Sequence, residues 1–306
     1  MKLKKIFITL MCFLILTGCT FPGLGGNVKK DVVIASGNTT ERQVLAEILK
    51  QMIEHHTDLN VSLINNLGSS TLIHTAMQNG DVNVSSGMYT GTSLTGELGL
   101  EPVKDPKEAL KLCQSEYLKR YNRIWYDSYG FENTYAFMVS RTFAEKNNLK
   151  TVSDLENLKD NIKVGVDTSW IDRKGDGYED FKEIYGYSFS KIFPMEIGLV
   201  YSALDNKEMD VVLGYSTDGR INSYDLVILE DDKMLFPAYD CSPVASKEIV
   251  EKYPELDTIF KSLVEKISSE DMQKMNREGD EDLDEPHIVA TKFLEEHNYF
   301  ENEVKL

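Results

Sequence analysis

The stretch SGMYTGTSLTG, residues 86–96, contains one aromatic residue, a tyrosine, that could bind a ligand. Tyr89 stands there among glycines and hydroxyl side chains, and the stretch offers no acid, base or thiol that could carry out a reaction. The face of a tyrosine ring carries negative charge, while the hydroxyl can bond to its surroundings. The chemistry available at this stretch is therefore noncovalent attraction to an aromatic face.

A second tyrosine occupies an equivalent place later in the chain. AMQNGDVNVSSGMYTGT and ALDNKEMDVVLGYSTDG each contain a helix end, a turn, a strand, and then tyrosine, hydroxyl and glycine. The pattern predicts two similar lobes, with Tyr89 and Tyr215 at corresponding strand ends. Convergent βαβ patterning without such a repeat is the alternative.

The segments around both tyrosines alternate between strand and helix patterns. The first half contains the strands DVVIAS, VSLINN and DVNVSSGMY, and between them a helix with apolar residues at helical spacing, the loop LGSS and the helix TLIHTAMQNG. Thr40 and Gln43 form a predicted capping box. The second half contains KVGVD, GYEDFKEIYG, FSKIFPM, EIGLVYSALDNKEM and DVVLGYSTDGR. This alternation predicts an α/β fold with mainly parallel sheets, in which ligands bind beyond the carboxyl ends of strands.

Two more tyrosines stand where the chain is expected to change lobe. Tyr135 enters a new strand in YGFENTYAFMVS, and Tyr239 leaves the second repeat in LFPAYDCSPVAS. Two crossings place residues 31–133 and 240–306 in lobe 1 and residues 134–239 in lobe 2. The late part of lobe 1 is predicted to be helical, in KEIVEKYPELDTIFKSLVEKI, SSEDMQKMNREGD and EPHIVATKFLEEHNYF. Paired crossing strands act as a hinge, and hinged lobes close around a ligand.

The start of the chain has the layout of a secretory signal. Lysines at positions 2, 4 and 5 precede an apolar run from Ile6 to Leu16, which is too short to span a membrane as a mature helix. The run ends in Leu16-Thr17-Gly18-Cys19, which resembles a bacterial lipobox. We expect a signal peptide at 1–18, a lipidated Cys19 and a tether at 19–30, which place the body on the extracytoplasmic face of the membrane. An ordinary signal peptide is the alternative.

Composition narrows the classes of partner. The net charge of −17 becomes −20 once the three lysines of the signal are removed, and such a surface repels nucleic acid. The histidines lack metal-ligand spacing, and the two cysteines of the body, Cys113 and Cys241, do not make a zinc site. They could form a disulfide in an oxidising compartment, although the sequence does not show that they meet.

Two further motifs and the two tryptophans are predicted to have structural roles. DRKGDGYED misses the register of a calcium loop, so Asp176 and Gly177 are predicted to form a turn before a helix. LGSS lacks the lysine of a phosphate-binding loop and is predicted to cap a helix. Trp125 and Trp170 are expected in the core, with stacking on a ligand as the alternative.

Several stretches together resemble one family over the whole mature length. They are LGSS, YTGT, FENTYAF, WIDRKGDGY, GLVYSALDN, GYSTDGR and FPAYDCSP. The chain is similar to the extracytoplasmic substrate-binding lipoproteins of osmoprotectant ABC importers, of the glycine betaine, carnitine and choline type. The resemblance implies a type II periplasmic-binding-protein-like fold, with two βαβ lobes, a two-strand hinge and a ligand cleft between the lobes. It also implies partners, an ABC permease and its ATPase, and no cofactor.

The resemblance assigns roles to six side chains. In this family four tyrosines form a cage around a quaternary ammonium group, and they match Tyr89, Tyr135, Tyr215 and Tyr239. A threonine and an arginine that help to hold a ligand carboxylate match Thr92 and Arg173. The sequence departs from some relatives at Ser36-Gly37-Asn38, where these carry a polar or basic side chain, so the ranking of betaine, carnitine and choline stays open.

Two other functions are alternatives to the capture and delivery of an osmolyte. An enzyme acting on choline-like compounds would need a nucleophile with a paired base, and neither GxSxG nor a nearby Ser/His/Asp arrangement is visible. A ligand sensor with the same pocket would differ only in its partner.

Overall fold

Two sheets of five strands each organise residues 31–301, the part of the chain that the computed structural model describes. The predicted signal peptide, Cys19 and the tether lie outside the described residues, as do residues 302–306. The first sheet has the order β2-β1-β3-β10-β4, with β1 Val32–Ala35, β2 Val61–Ile64, β3 Val84–Tyr89, β4 Arg123–Trp125 and β10 Cys241–Ser246. The second has the order β7-β6-β8-β5-β9, with β5 Tyr135–Ser140, β6 Val164–Asp167, β7 Ile192–Met195, β8 Val211–Tyr215 and β9 Leu226–Ile228.

The described residues also form thirteen α-helices. Their bounds are α1 Thr40–His56, α2 Ser70–Asn79, α3 Thr90–Thr95, α4 Pro106–Tyr121, α5 Arg141–Asn147, α6 Thr168–Ile171, α7 Tyr178–Tyr185, α8 Ile197–Asp205, α9 Arg220–Ser223, α10 Lys247–Lys252, α11 Glu255–Ser262, α12 Ser269–Asp280 and α13 Pro286–Glu296. A 3₁₀ helix spans Val152–Leu158. Within residues 31–301, none of the helices combines the length and the apolar character that a membrane crossing requires.

Parallel pairing occupies one side of each sheet and follows from helical crossovers. β1 pairs in parallel with β2 and β3, and β6 pairs in parallel with β7 and β8. Parallel neighbours require such crossovers, which is what the alternating sequence pattern predicted. The predicted α/β fold with two βαβ units is therefore confirmed. The expectation of mainly parallel sheets is wrong, because β10 pairs antiparallel with β3 and β4, and β5 pairs antiparallel with β8 and β9. Both β5 and β10 enter their sheets directly after a crossing, which reverses their direction. Buried apolar residues cover both faces of each sheet, and Trp125 and Trp170 belong to these cores, as expected.

Three local expectations are corrected or decided by the structure. α1 is capped by Thr39, whose hydroxyl accepts from the backbone N–H of Arg42, rather than by Thr40. The helix expected from residue 247 onward breaks between α10 and α11, because Pro254 lacks a backbone N–H and restricts the residue before it. Cys113 and Cys241 are buried and free, so the disulfide does not form.

The chain crosses between the sheets twice, between β4 and β5 and between β9 and β10. The two crossing segments run side by side, and Glu132 and Asp240 form an isolated antiparallel bridge between them. The hydroxyl of Ser216, directly after β8, donates to the carbonyl of Glu132 at 3.0 Å. The crossings therefore lie next to the strand end that carries Tyr215.

Helix α12 connects the two sheets at a second place. It follows the second crossing, yet its side chains bond to the loop after β8: Gln273 Nε2 donates to the carbonyl of Ser216 at 2.8 Å and Asn276 Nδ2 to that of Thr217 at 2.7 Å. Gly219 in this loop lies so close to α12 that an added Cβ would stand 2.5 Å from the backbone nitrogen of Arg277. This contact fixes where the loop runs.

Substitution of Gly219 tests this contact. Gly219 has helical backbone angles, φ −59° and ψ −30°, so alanine causes no backbone strain there, and the clash with α12 alone decides the effect. Gly219→Ala should lower the free energy of unfolding by about 1–3 kcal/mol, as overpacking does. Urea denaturation measures this. The control Gly68→Ala, where a Cβ meets nothing within 4 Å, should not destabilise the protein, and equal effects of the two changes would contradict the packing argument.

Candidate binding site between the two sheets

A cavity of about 440 Å³ opens between the two sheets. Its lining residues are Thr39, Arg42, Tyr89, Thr92, Thr95, Asn133, Thr134, Tyr135, Arg173, Tyr215 and Tyr239. All six side chains that the resemblance assigned to a ligand are among them. Tyr89 ends β3 and Tyr215 ends β8, so the cavity lies beyond the carboxyl ends of strands in both sheets.

Strand register brings the four tyrosines together. Tyr135 and Tyr215 are direct partners in the β5–β8 pair, and their rings stack with centroids 5.0 Å apart. In the first sheet Tyr89 pairs with Cys241, which brings the chain around Tyr239 alongside. Gly91 makes room there, since an added Cβ would lie 2.8 Å from the ring of Tyr239. Tyr89 and Tyr135 are buried, Tyr239 is partly buried, and Tyr215 remains 39% exposed.

Polar partners hold the hydroxyl groups of three cage tyrosines. The Tyr89 hydroxyl donates to the buried carboxylate of Glu41, and that of Tyr135 donates to Asp167. Burial, followed by the charge of Glu41, raises the pKa of Tyr89, and burial with the Asp167 hydrogen bond raises that of Tyr135. Both phenols therefore stay neutral, and their rings are oriented from outside the cavity. The Tyr239 hydroxyl accepts from Arg173 Nη2 at 3.0 Å.

Arg173 is held by its own turn. Its Nε and Nη2 donate to the two oxygens of Asp176 at 2.8 and 2.9 Å. Asp176 is buried, and its carbonyl accepts from Trp170 Nε1 at 2.7 Å. The stretch DRKGDG thus serves as the predicted turn before a helix, and it places a guanidinium at the cavity.

Sequence reasoning missed five polar residues of the lining, which are Thr39, Arg42, Thr95, Asn133 and Thr134. Asn133 Nδ2 donates to both carboxylate oxygens of Glu41 at 3.2 and 3.3 Å, which completes the support of Tyr89. Arg42 lies in the first turn of α1, where the helix dipole disfavours a cation. That unfavourable position is the sequence signal that could have identified it.

The support of Tyr89 generates a prediction. Glu41→Ala leaves the Tyr89 hydroxyl and the Asn133 amide without their shared acceptor, which should cost about 1–3 kcal/mol in the free energy of unfolding. Urea denaturation compares this variant with Glu54→Ala on the same helix, whose ion pair with Lys50 at 4.0 Å is exposed. The control should change stability little. If both variants unfolded alike, the buried carboxylate would not be the support of the ring.

Comparison with known proteins gives concordant matches. The model of a family described as the substrate binding domain of ABC-type glycine betaine transport systems matches residues 30–296. The chain is 51% identical over 305 residues to the carnitine transport binding protein OpuCC of Listeria monocytogenes, covering 98% of this chain and 99% of that protein. It is 30% identical over 289 residues to a glycine-betaine-binding protein of Pseudomonas aeruginosa, covering 90% of this chain and 91% of that protein.

The fold matches solved structures as well. A crystal structure of a glycine betaine/carnitine/choline ABC transporter protein superposes with a TM-score of 0.86 at 48% identity, covering 88% of this chain and 99% of the other. The predicted type II periplasmic-binding-protein-like architecture is thereby confirmed. The chain belongs to the family of substrate-binding domains of ABC-type glycine betaine transport systems, and it is a binding protein rather than an enzyme.

Proposed function

We propose that this protein captures a quaternary ammonium osmolyte in the cavity between its sheets and delivers it to an ABC permease driven by an ATPase. The observation that carries the proposal is the convergence on one cavity of Tyr89 from the first sheet, Tyr135 and Tyr215 from the second sheet and Tyr239 from the second crossing. The names of the relatives, which include carnitine and glycine betaine binding proteins, support the same ligand class.

Aromatic faces suit a trimethylammonium head. Such a group has no N–H to donate, so it is bound by weak attraction spread over several rings. Each cation–π contact contributes about 0.5–2 kcal/mol. Four of them supply several kcal/mol, a large part of the ~8 kcal/mol that a micromolar complex requires. In the proposal, Thr92 and Arg173 hold the carboxylate of ligands that have one.

Closure of two lobes completes the site in this proposal. Lobe 1 comprises residues 31–133 and 240–306, and lobe 2 comprises residues 134–239. Supporting features are the paired crossings at Glu132 and Asp240 and the exposure of Tyr215, whose ring has uncovered area for a ligand and the facing lobe to bury. Hinges of this kind consist of a few residues at element ends.

Replacement of the rings tests the cage. Tyr89→Ala and Tyr215→Ala should each weaken binding of glycine betaine, carnitine or choline by about 1–2 kcal/mol or more, because each removes a cation–π face. Tyr215→Phe keeps the face and should bind within about threefold of the unchanged protein. Isothermal titration calorimetry measures the affinities.

The matched control is Tyr224→Ala, a half-buried tyrosine of lobe 2 that does not line the cavity. It should leave affinity unchanged. Full affinity in both Tyr89→Ala and Tyr215→Ala would rule out the cage.

Members of the family act outside the cytoplasm, and we propose that Cys19 anchors this one to the membrane through lipid. Cys19→Ala should move the protein from the membrane fraction to the soluble extracytoplasmic fraction, because alanine has no thiol to carry the acyl chains that hold a soluble domain at a membrane. Cell fractionation with mass spectrometry of the mature N-terminus measures this. The control Cys113→Ala changes a buried cysteine of the folded body and should remain attached. An unchanged protein whose mature N-terminus carries no acyl group by mass spectrometry would exclude the anchor.

A further inference from the structure

Arg42 is a cationic residue of the cavity lining to which the proposed tyrosine cage assigns no role. Its side chain lines the cavity, yet the residue is only 9% exposed. Nη2 donates to the Ser70 hydroxyl at 2.7 Å, and this is the hydrogen bond that its guanidinium makes within residues 31–301. A buried charge with so few partners is costly. The remaining N–H groups are therefore available to a ligand.

The two arginines of the cavity differ in their counter-charges. Arg173 is paired with Asp176 through two hydrogen bonds. Over the described part of the chain, Arg42 has no carboxylate oxygen within 4.0 Å. Glu97 is near enough for the charge of Arg42 to act against the rise that burial causes in its pKa, but the two form no ion pair. Among the described residues, Arg42 is thus the arginine of the lining that forms no ion pair, although the buried carboxylate of Glu41 acts on the same tyrosine, Tyr89.

Gly37 makes room for the side chain of Arg42. A Cβ at position 37 would lie 2.3 Å from Arg42 Cδ and 3.2 Å from Nη1. The guanidinium lies over one face of the Tyr89 ring, with Cζ 4.8 Å from the ring centroid, and a side chain at residue 37 would force it to move. The departure at Ser36-Gly37-Asn38 and the position of Arg42 are two parts of one arrangement.

We infer that Arg42, lying over Gly37, binds the carboxylate of the ligand in addition to Thr92 and Arg173, and that the cavity therefore selects quaternary ammonium compounds bearing a carboxylate over choline. This inference rests on the proposed function of the cavity. A guanidinium fork matches the two oxygens of a carboxylate. Its distance from Tyr89 places the anion site next to an aromatic face, as a compact zwitterion requires. Choline brings a second positive charge and no anion, so Arg42 discriminates against it by repulsion.

Glycine betaine and choline form a matched pair of ligands for the test, since both carry a trimethylammonium head and only betaine has a carboxylate. Calorimetry on the unchanged protein should show tighter binding of betaine. Arg42→Gln should weaken betaine binding by about tenfold or more, the effect of losing hydrogen bonds between charged groups, and leave choline binding unchanged or tighter. Arg42→Lys keeps the charge without the fork and should retain part of the preference.

Substitution of Gly37 provides an independent test of the same inference. Gly37→Ala should displace Arg42 and reduce the preference for betaine as Arg42→Gln does, whereas adding Gly37→Ala to Arg42→Gln should change little more, because both remove one interaction. Gly68→Ala, in the same lobe and with open space around its Cβ, should keep the preference. Thermal unfolding verifies that every variant is folded. If Arg42→Gln does not fold, the Arg42→Lys variant is used in its place.

The results separate the two levels of the proposal. The role of Arg42 would be overturned if the betaine-to-choline affinity ratio of the Arg42 variants stayed within about threefold of the ratio of the unchanged protein. It would also be overturned if the unchanged protein bound choline as tightly as betaine. Either result would leave the cage intact. Unchanged protein that binds neither compound would overturn the proposed function, and this inference with it.

Discussion

The proposed cage depends on neutral tyrosine rings whose orientation is set by contacts outside the cavity. Attraction between a methylated cation and a ring face is weak, so it is useful only where several rings already point at one volume. The protein achieves this by anchoring hydroxyl groups outside the cavity: Glu41 holds Tyr89 and Asp167 holds Tyr135. Each anchor is a buried carboxylate on a neighbouring element, so orientation of the rings is coupled to correct packing of the lobes.

The strand ends and the two crossings place the tyrosines at the cavity, and the carboxylates of Glu41 and Asp167 then orient two of the rings. Parallel strands in both sheets end at the cavity, and the two crossings leave and return beside them. Tyrosines at positions 135 and 239 therefore lie close both to the strand-end tyrosines and to the bridge between Glu132 and Asp240. In this arrangement a change in the angle between the sheets would alter the distances between the rings directly. The hydrogen bonds from α12 to the loop after β8 would restrict such a change in angle.

Charge within the cavity is distributed unevenly, although the chain as a whole is acidic. The rings provide negative faces, and two guanidinium groups stand beside them, one paired with Asp176 and one bonded to Ser70. Such a lining fits a molecule that is itself divided into a cationic and an anionic end. Aromatic rings contribute attraction, whereas the charged groups contribute discrimination between ligands that share the same head.

The sequence by itself determined what depends on local pattern: the βαβ order, the strand-end places of Tyr89 and Tyr215, the turn at Asp176 and membership of the family. Hydrophobic periodicity and turn residues act over a few positions, so they can be read along the chain. The support of Tyr89 by Glu41, 48 residues away, and the contact of Arg42 with Ser70, 28 residues away, were decided only by the tertiary structure. The same holds for the room that Gly37 leaves for Arg42 and for the separation of Cys113 from Cys241. These features depend on which side chains the packed sheets and helices bring within a few ångströms, and no local pattern specifies that distance.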